Sequence, residues 1–358
     1  MEQAYTEIDV MKSRAPVINH DMGVTHRAPL TSSEIANLWR TYVHYSMLNY
    51  VFQHYLKNVE DPDLRPMLTD SIALFEKRMN RTAEIFKLEG QPIPRGFGDG
   101  DLDAGAPRLY TDLFYFFYTM RMVAIGLQLN STALACAVRP DVREFYTETL
   151  MGSTRFFNRF TDIMLEKGIL IRSPFINTFG EVDTVEEQSF LRGFLGKRRP
   201  LLAQEIDQLF LGIRNNVIGG ALLEGFRQVA RSEPVRAYMA RGAEIARKHV
   251  DIFSSVLHKE NLPAPAHWGE FVSDSTTPPF SDKLMMYHVV TLGGIGLGSY
   301  ANAMGLSMRH DLGANYARLI TETLKYAEDG INILIDNGWL EEPPRMTDRQ
   351  ELVNNPKH

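Results

Sequence analysis

The chain states its own pattern twice. At an offset of 171 positions, "SSEIANLW" (32–39) lies over "AQEIDQLF" (203–210), matching Glu34 with Glu205, Ile35 with Ile206 and Leu38 with Leu209. The register holds without a gap through Arg65 over Arg236, Pro92 over Pro263 and Pro94 over Pro265. One residue is then lost. At offset 170, Asp112 pairs with Asp282, "IGL" (125–127) with "IGL" (295–297), and "VRPDVREFY" (138–146) with "MRHDLGANY" (308–316). Gly168 over Gly338 and Pro174 over Pro344 close the match. Agreement over such lengths is the mark of a duplicated unit, so whatever one half folds into, the other must approximate.

Within each half, apolar residues recur at helical spacing over four long segments. They span about 31–58, 63–89, 110–138 and 141–167, then 202–230, 234–260, 281–308 and 311–337. Asp61-Pro62 and Ser281 read as helix starts, and Gly168 and Gly338 as left-handed stops. Two to four residues join helices 1–2 and 3–4, which makes antiparallel hairpins. About twenty residues rich in Pro and Gly separate helices 2 and 3, enough chain to return along a helix roughly 40 Å long. The expected fold is all-α: two tandem ferritin-like four-helix bundles, each with a long crossover between helices 2 and 3. The expected organisation is an N-terminal extension (1–29), a first bundle (30–174), a linker (175–200), a second bundle (201–344) and a tail (345–358).

Arg139/Asp141 and Arg309/Asp311 then fall at the tight turn between helices 3 and 4, the aspartate placed to cap helix 4. The recurring motif is therefore structural.

Composition narrows the partners. A net charge of −6 gives no basic surface suited to nucleic acid. The uncharged stretch Leu284–Met308 has the length of a membrane span, but His288, Ser299, Asn302 and its glycines make a helix buried in a bundle the better reading. No secretory signal is read, and a cytoplasmic location is expected. The one cysteine, Cys136, lies in an apolar run and is expected to be a small buried hydrophobe.

"PFSDKLMMYH" (279–288), "SMRHDL" (307–312) and "YAEDGINILIDNGWLEEPP" (326–344) resemble a Bacillus family of unknown function, domain-of-unknown-function family 3231. The resemblance implies tandem ferritin-like bundles distantly similar to the coat-F spore protein group, hence a spore association and a homo-oligomeric or spore-protein partner. It implies no activity.

Ferritin-like di-metal centres draw a Glu from each of two helices and a Glu-x-x-His pair from each of the others. Neither half contains Glu-x-x-His. The second half nevertheless carries polar residues on core-facing stripes: His249 on helix 2, His288 on helix 3, Glu322 on helix 4 and Glu224 on helix 1. Counting rise along each helix sets His249 level with Glu322, and His288 with Glu224 about 12 Å higher. Two readings follow. Either these four form a His/carboxylate site for Fe, Mn or Zn, or they are hydrogen-bonded pairs inside a structural or interaction protein without catalytic function. In the first half His44 and Glu76, with Arg121, form a possible buried polar network. "GGIGLG" (293–298) fails the dinucleotide pattern at Ser299 and is read as close helix–helix approach, with a small-ligand cavity as the alternative. "GKRRP" (196–200) is read as a solvated basic loop.

Overall fold

The computed structural model describes residues 28–177, 182, 184–196, 198–265 and 271–354. Most of the expected N-terminal extension and the last four residues of the tail lie outside them. Eight long helices follow one another: α1 (Ser32–Asn58), α2 (Leu64–Leu88), α3 (Asp112–Cys136), α4 (Pro140–Glu166), α5 (Ala203–Val229), α6 (Glu233–Lys259), α7 (Asp282–Leu306) and α8 (His310–Asp336). A six-residue helix, α9 (Arg349–Asn354), ends the described chain. The apolar periodicity therefore located each long helix to within about two residues.

Packing is strongest within the hairpins α1–α2, α3–α4, α5–α6 and α7–α8. In each half, helix 1 also packs on helix 3 and helix 2 on helix 4. The long connection after α2 retraces α1 from its middle to its end. Phe97 N–H donates to Ser46 Oγ (3.2 Å), Tyr50 Oη to Asp99 (3.0 Å) and Arg108 Nη2 to the Asn58 carbonyl (2.6 Å). It thus reaches the far end of α1 before α3 begins.

The bundle ends are built the same way twice. Glu34 accepts from Thr31 N–H (2.8 Å) and from the N–H groups of Val138 and Arg139 (3.0 and 2.8 Å). Glu205 accepts from Leu202 N–H (2.9 Å) and from Met308 and Arg309 N–H (3.2 and 3.1 Å). One carboxylate therefore satisfies orphan donors at the start of helix 1 and, across the bundle, at the start of helix 4. This corrects the expectation that Asp141 and Asp311 are the caps of helix 4: Arg139 and Arg309 hold the N-cap positions, and Asp141 accepts the adjacent first-turn N–H of Val142 (2.9 Å). The two aspartates grip Arg139 (2.7 and 2.8 Å) and Arg309 (3.0 and 2.9 Å) through both carboxylate oxygens. The same guanidinium groups reach Glu89 (2.7 Å) and Glu260 (3.0 Å) at the end of helix 2, tying three helix ends together.

Two other expectations are corrected. Cys136, the last residue of α3, is exposed rather than buried. Arg199 is not a solvated loop residue: it pairs with Glu205 through two bonds of 2.8 Å and lies over the Phe190 ring at 4.2 Å.

The two halves share one core. A single apolar cluster joins Phe52, Tyr55, Phe114 and Tyr118 to Leu222, Phe226, Met285 and Met286, while smaller clusters fill the far ends. The crossovers pair reciprocally: Leu102 bridges Phe280, and Tyr110 bridges Val272. At offset 170, Leu102 corresponds to Val272 and Tyr110 to Phe280, so each contact is the other's mate under a pseudo-two-fold rotation. Tyr110 completes the junction by donating to the Leu222 carbonyl (2.7 Å). A Cβ on Gly225 would collide with the Tyr110 ring. Gly225→Ala is therefore expected to displace that ring and to lower stability by about 1–3 kcal/mol, read as a reduced denaturation midpoint. An unchanged midpoint with the Tyr110 bond intact would count against this.

Candidate functional site

Each half carries one buried polar cluster midway along its helices. In the first, Arg78 on α2 donates to Tyr45 Oη (3.0 Å), the Thr149 carbonyl (3.1 Å) and Ser153 Oγ (3.0 Å), and Asn130 donates to Tyr45 Oη (3.3 Å). In the second, His249 stands at the position of Arg78. The tyrosine and asparagine have exchanged helices: Tyr45 and Asn130 become Asn216 and Tyr300. The bond between them survives, Asn216 donating to Tyr300 Oη at 2.6 Å.

The bonds of His249 have a defined direction. Glu322 accepts from Nε2 (3.1 Å); a carboxylate can only accept, so this nitrogen carries the proton. Nδ1 then accepts from the Tyr300 hydroxyl at 2.9 Å. Lys248 Nζ closes the chain on both oxygens of Glu322 (2.7 and 3.0 Å). Burial holds the His249 imidazole below its usual pKa against the pull of Glu322, so the ring is neutral at pH 7. Burial works against ionisation of Glu322, but Lys248 and His249 hold its carboxyl below the usual range.

Thus two of the four sequence candidates, His249 and Glu322, meet. The other two do not join them or one another. His288 is fully buried, and its Nε2 lies 2.8 Å from the hydroxyl of Tyr118 on α3, the equivalent position of the other half. Its ring packs edge-on against Tyr118 and Phe226. Glu224 faces outward and binds Arg227 and Arg247, each at 3.2 Å. No group of three or more His, Cys, Asp or Glu with metal-holding geometry occurs among the described residues. In the first half Glu76 is exposed, while His44 meets Tyr287 of the other half edge to face, so these two do not form the expected network.

Two cavities flank the polar clusters. One, of about 90 Å3, is bordered by His44, Arg78 and Asn130 and closed by Leu292 and Ile295 of α7. The other, of about 140 Å3, is bordered by Asn215, His249 and Tyr300 and closed by Met122 and Ile125 of α3. At the repeat offset Met122 matches Leu292 and Ile125 matches Ile295, so each half contributes lining to the other's cavity. The larger one is lined by Gly219, Gly293 and Gly296. A Cβ at any of the three, or at Gly294 or Gly298, would meet nothing within 4 Å. Close helix approach is therefore not what these glycines serve, and the expectation for "GGIGLG" is corrected: Gly293 and Gly296 open a cavity.

These features define an all-α protein made of two copies of one helical unit, with a buried polar cluster and a cavity in each. The chain belongs to the family described as protein of unknown function (DUF3231), whose model matches residues 20–182 and 189–352, one stretch on each copy. Among solved structures, a provisionally assigned spore coat protein from Bacillus halodurans is similar at 20% identity, over 42% of this chain and 98% of its own, with a TM-score of 0.39. No curated protein matches the chain. No helix among the described residues is long and apolar enough to cross a membrane.

Proposed function

We propose that the chain is a non-catalytic structural or interaction protein built from two ferritin-like bundles, spanning about 30–174 and 201–344, with a spore-protein partner. The course of the first crossover along α1 supports the ferritin-like reading. The resemblance to the coat-F group supports the spore partner.

The observation that carries the non-catalytic reading is the contact of Lys248 with Glu322. In a ferritin-like centre the carboxylates face a metal cation; here an ammonium already neutralises the only carboxylate that touches a core histidine among the described residues. Both nitrogens of His249 are also engaged. A cation held by His249, Glu322, His288 and Glu224 would have to displace Lys248 and draw His288 and Glu224 away from their present partners.

Metal content tests this directly. Protein purified without chelator or affinity metal, then supplemented with Fe, Mn or Zn and desalted, is expected to retain well under one equivalent. One or two equivalents, lost in a His249→Ala/His288→Ala variant that still folds, would replace this reading with a metalloprotein.

A further inference from the structure

Arg121 is 7% exposed at the middle of α3 and has no hydrogen-bond or ion-pair partner among the described residues. It borders the larger cavity and, together with Arg214 of α5, a second apolar pocket of about 90 Å3. Arg214 Nε is likewise buried without a partner. Two guanidinium groups thus border one pocket, neither in direct ion-pair contact with a carboxylate among the described residues, although the charge of Asp207 favours Arg214.

Such charges are costly to bury unless something pairs with them. Burial, and secondarily the charge of Arg214, lowers the Arg121 pKa to about 10, which still leaves it charged at neutral pH. The fold does not require either residue. At the repeat offsets Arg121 matches Thr291 and Arg214 matches Val43, so the other copy builds the same helices and the same junction without them.

We infer that the glycine-lined cavity binds a small carboxylate with a compact apolar body, its carboxylate received by Arg121 and further favoured by Arg214. Guanidinium matches a carboxylate through two parallel hydrogen bonds, which a spherical anion cannot use as well. The body is set by size: a dry protein cavity of about 150 Å3 accommodates benzene, and this one is about 140 Å3. The three glycines supply that room, and Asn215, whose Oδ1 is buried without a partner, borders the same space. This goes beyond the structural role proposed above and does not depend on it, since ligand occupancy is read independently of metal content.

The test is titration calorimetry with benzoate, phenylacetate, isovalerate and hexanoate against the full-length protein. Acetate, inorganic phosphate and benzyl alcohol serve as controls. At least one of the four acids should bind saturably at one site per chain and raise the melting temperature. Arg121→Met should weaken that acid by at least about thirtyfold, while the unliganded variant melts no lower than the parent because an unbalanced charge has been removed. Gly296→Leu, which fills the cavity rather than emptying it, should abolish binding and keep the fold. Failure of all four acids to bind at 5–10 mM overturns the inference. So does equal binding of benzyl alcohol, which would dismiss the anion, or of acetate or phosphate, which would dismiss the cavity. Acid binding undiminished in folded Arg121→Met would dismiss the receptor.

Discussion

Glu205→Ala is expected to cost about 3–5 kcal/mol, one of the largest losses available to a single substitution in this chain. Glu205 is fully buried and accepts from both terminal nitrogens of Arg199 and from three backbone N–H groups belonging to two helix starts. Removing it strands a largely buried guanidinium and uncaps α5 and α8 together. The matching Glu34→Ala should cost less, about 1–3 kcal/mol. Glu34 serves Thr31, Val138 and Arg139 through N–H and hydroxyl donors but holds no guanidinium in a direct ion pair. Urea denaturation of both variants against the parent checks the order. Equal losses would mean that the Arg199 pair contributes nothing and that the backbone donors carry the effect.

The second large effect is on pH. Burial lowers the pKa of His288 to about 3 and that of His54 to about 4. His54 is 2% exposed, with Nε2 unpartnered and the ring packed on Phe280 of the other copy. Above pH 6.5 both rings are neutral whether the chain is folded or not, so they make stability independent of pH there. Below it the unfolded chain takes up protons that the folded chain refuses, and stability falls until the folded pKa is reached. Between pH 7.5 and pH 5 each ring should lower stability by about 2 kcal/mol, roughly 4 kcal/mol for the pair. Denaturation midpoints at pH 7.5, 6.5 and 5 measure the slope, to which the lowered pKa values of His44 and His249 also add, and His288→Asn should reduce the loss over this range by about 2 kcal/mol. A flat profile over this range would show that both rings become protonated in the native state at little cost.

How much of this could be read from the sequence depended on the range of each interaction. The long helices were legible because each depends on its own apolar stripe, and the duplication doubled the signal. His249 and Glu322 were legible as neighbours because both lie on stripes of one bundle. Lys248 was not, since it sits off the stripe and reaches Glu322 with a long side chain. The partner of His288 was hidden for a different reason: Tyr118 belongs to the other copy, and reasoning within one bundle offered Glu224 instead. Glu224 does fall at core spacing, yet two arginines draw it outward. The glycines of α7 misled because a small residue in a helix marks either contact or space, and only the neighbouring backbone decides which. Arg121 was visible as a charge within an apolar helix. Its lack of a partner, and the presence of Arg214 beside the same pocket, required the packing of both halves.

The reciprocal pairing of the crossovers has the geometry of a homodimer whose subunits have been joined in one polypeptide. In a dimer of identical chains, positions related across the axis must carry the same residue, so Tyr118 could meet only another Tyr118. Fusion lifts that constraint: here tyrosine meets histidine, Arg78 is answered by His249, and Arg121 by Thr291. The linked halves also stand at a fixed and high effective concentration, so their association no longer depends on how much protein is present. One copy can consequently accumulate changes that a free subunit would have had to accept twice, which is how a symmetric framework acquires a single, unsymmetric binding cavity.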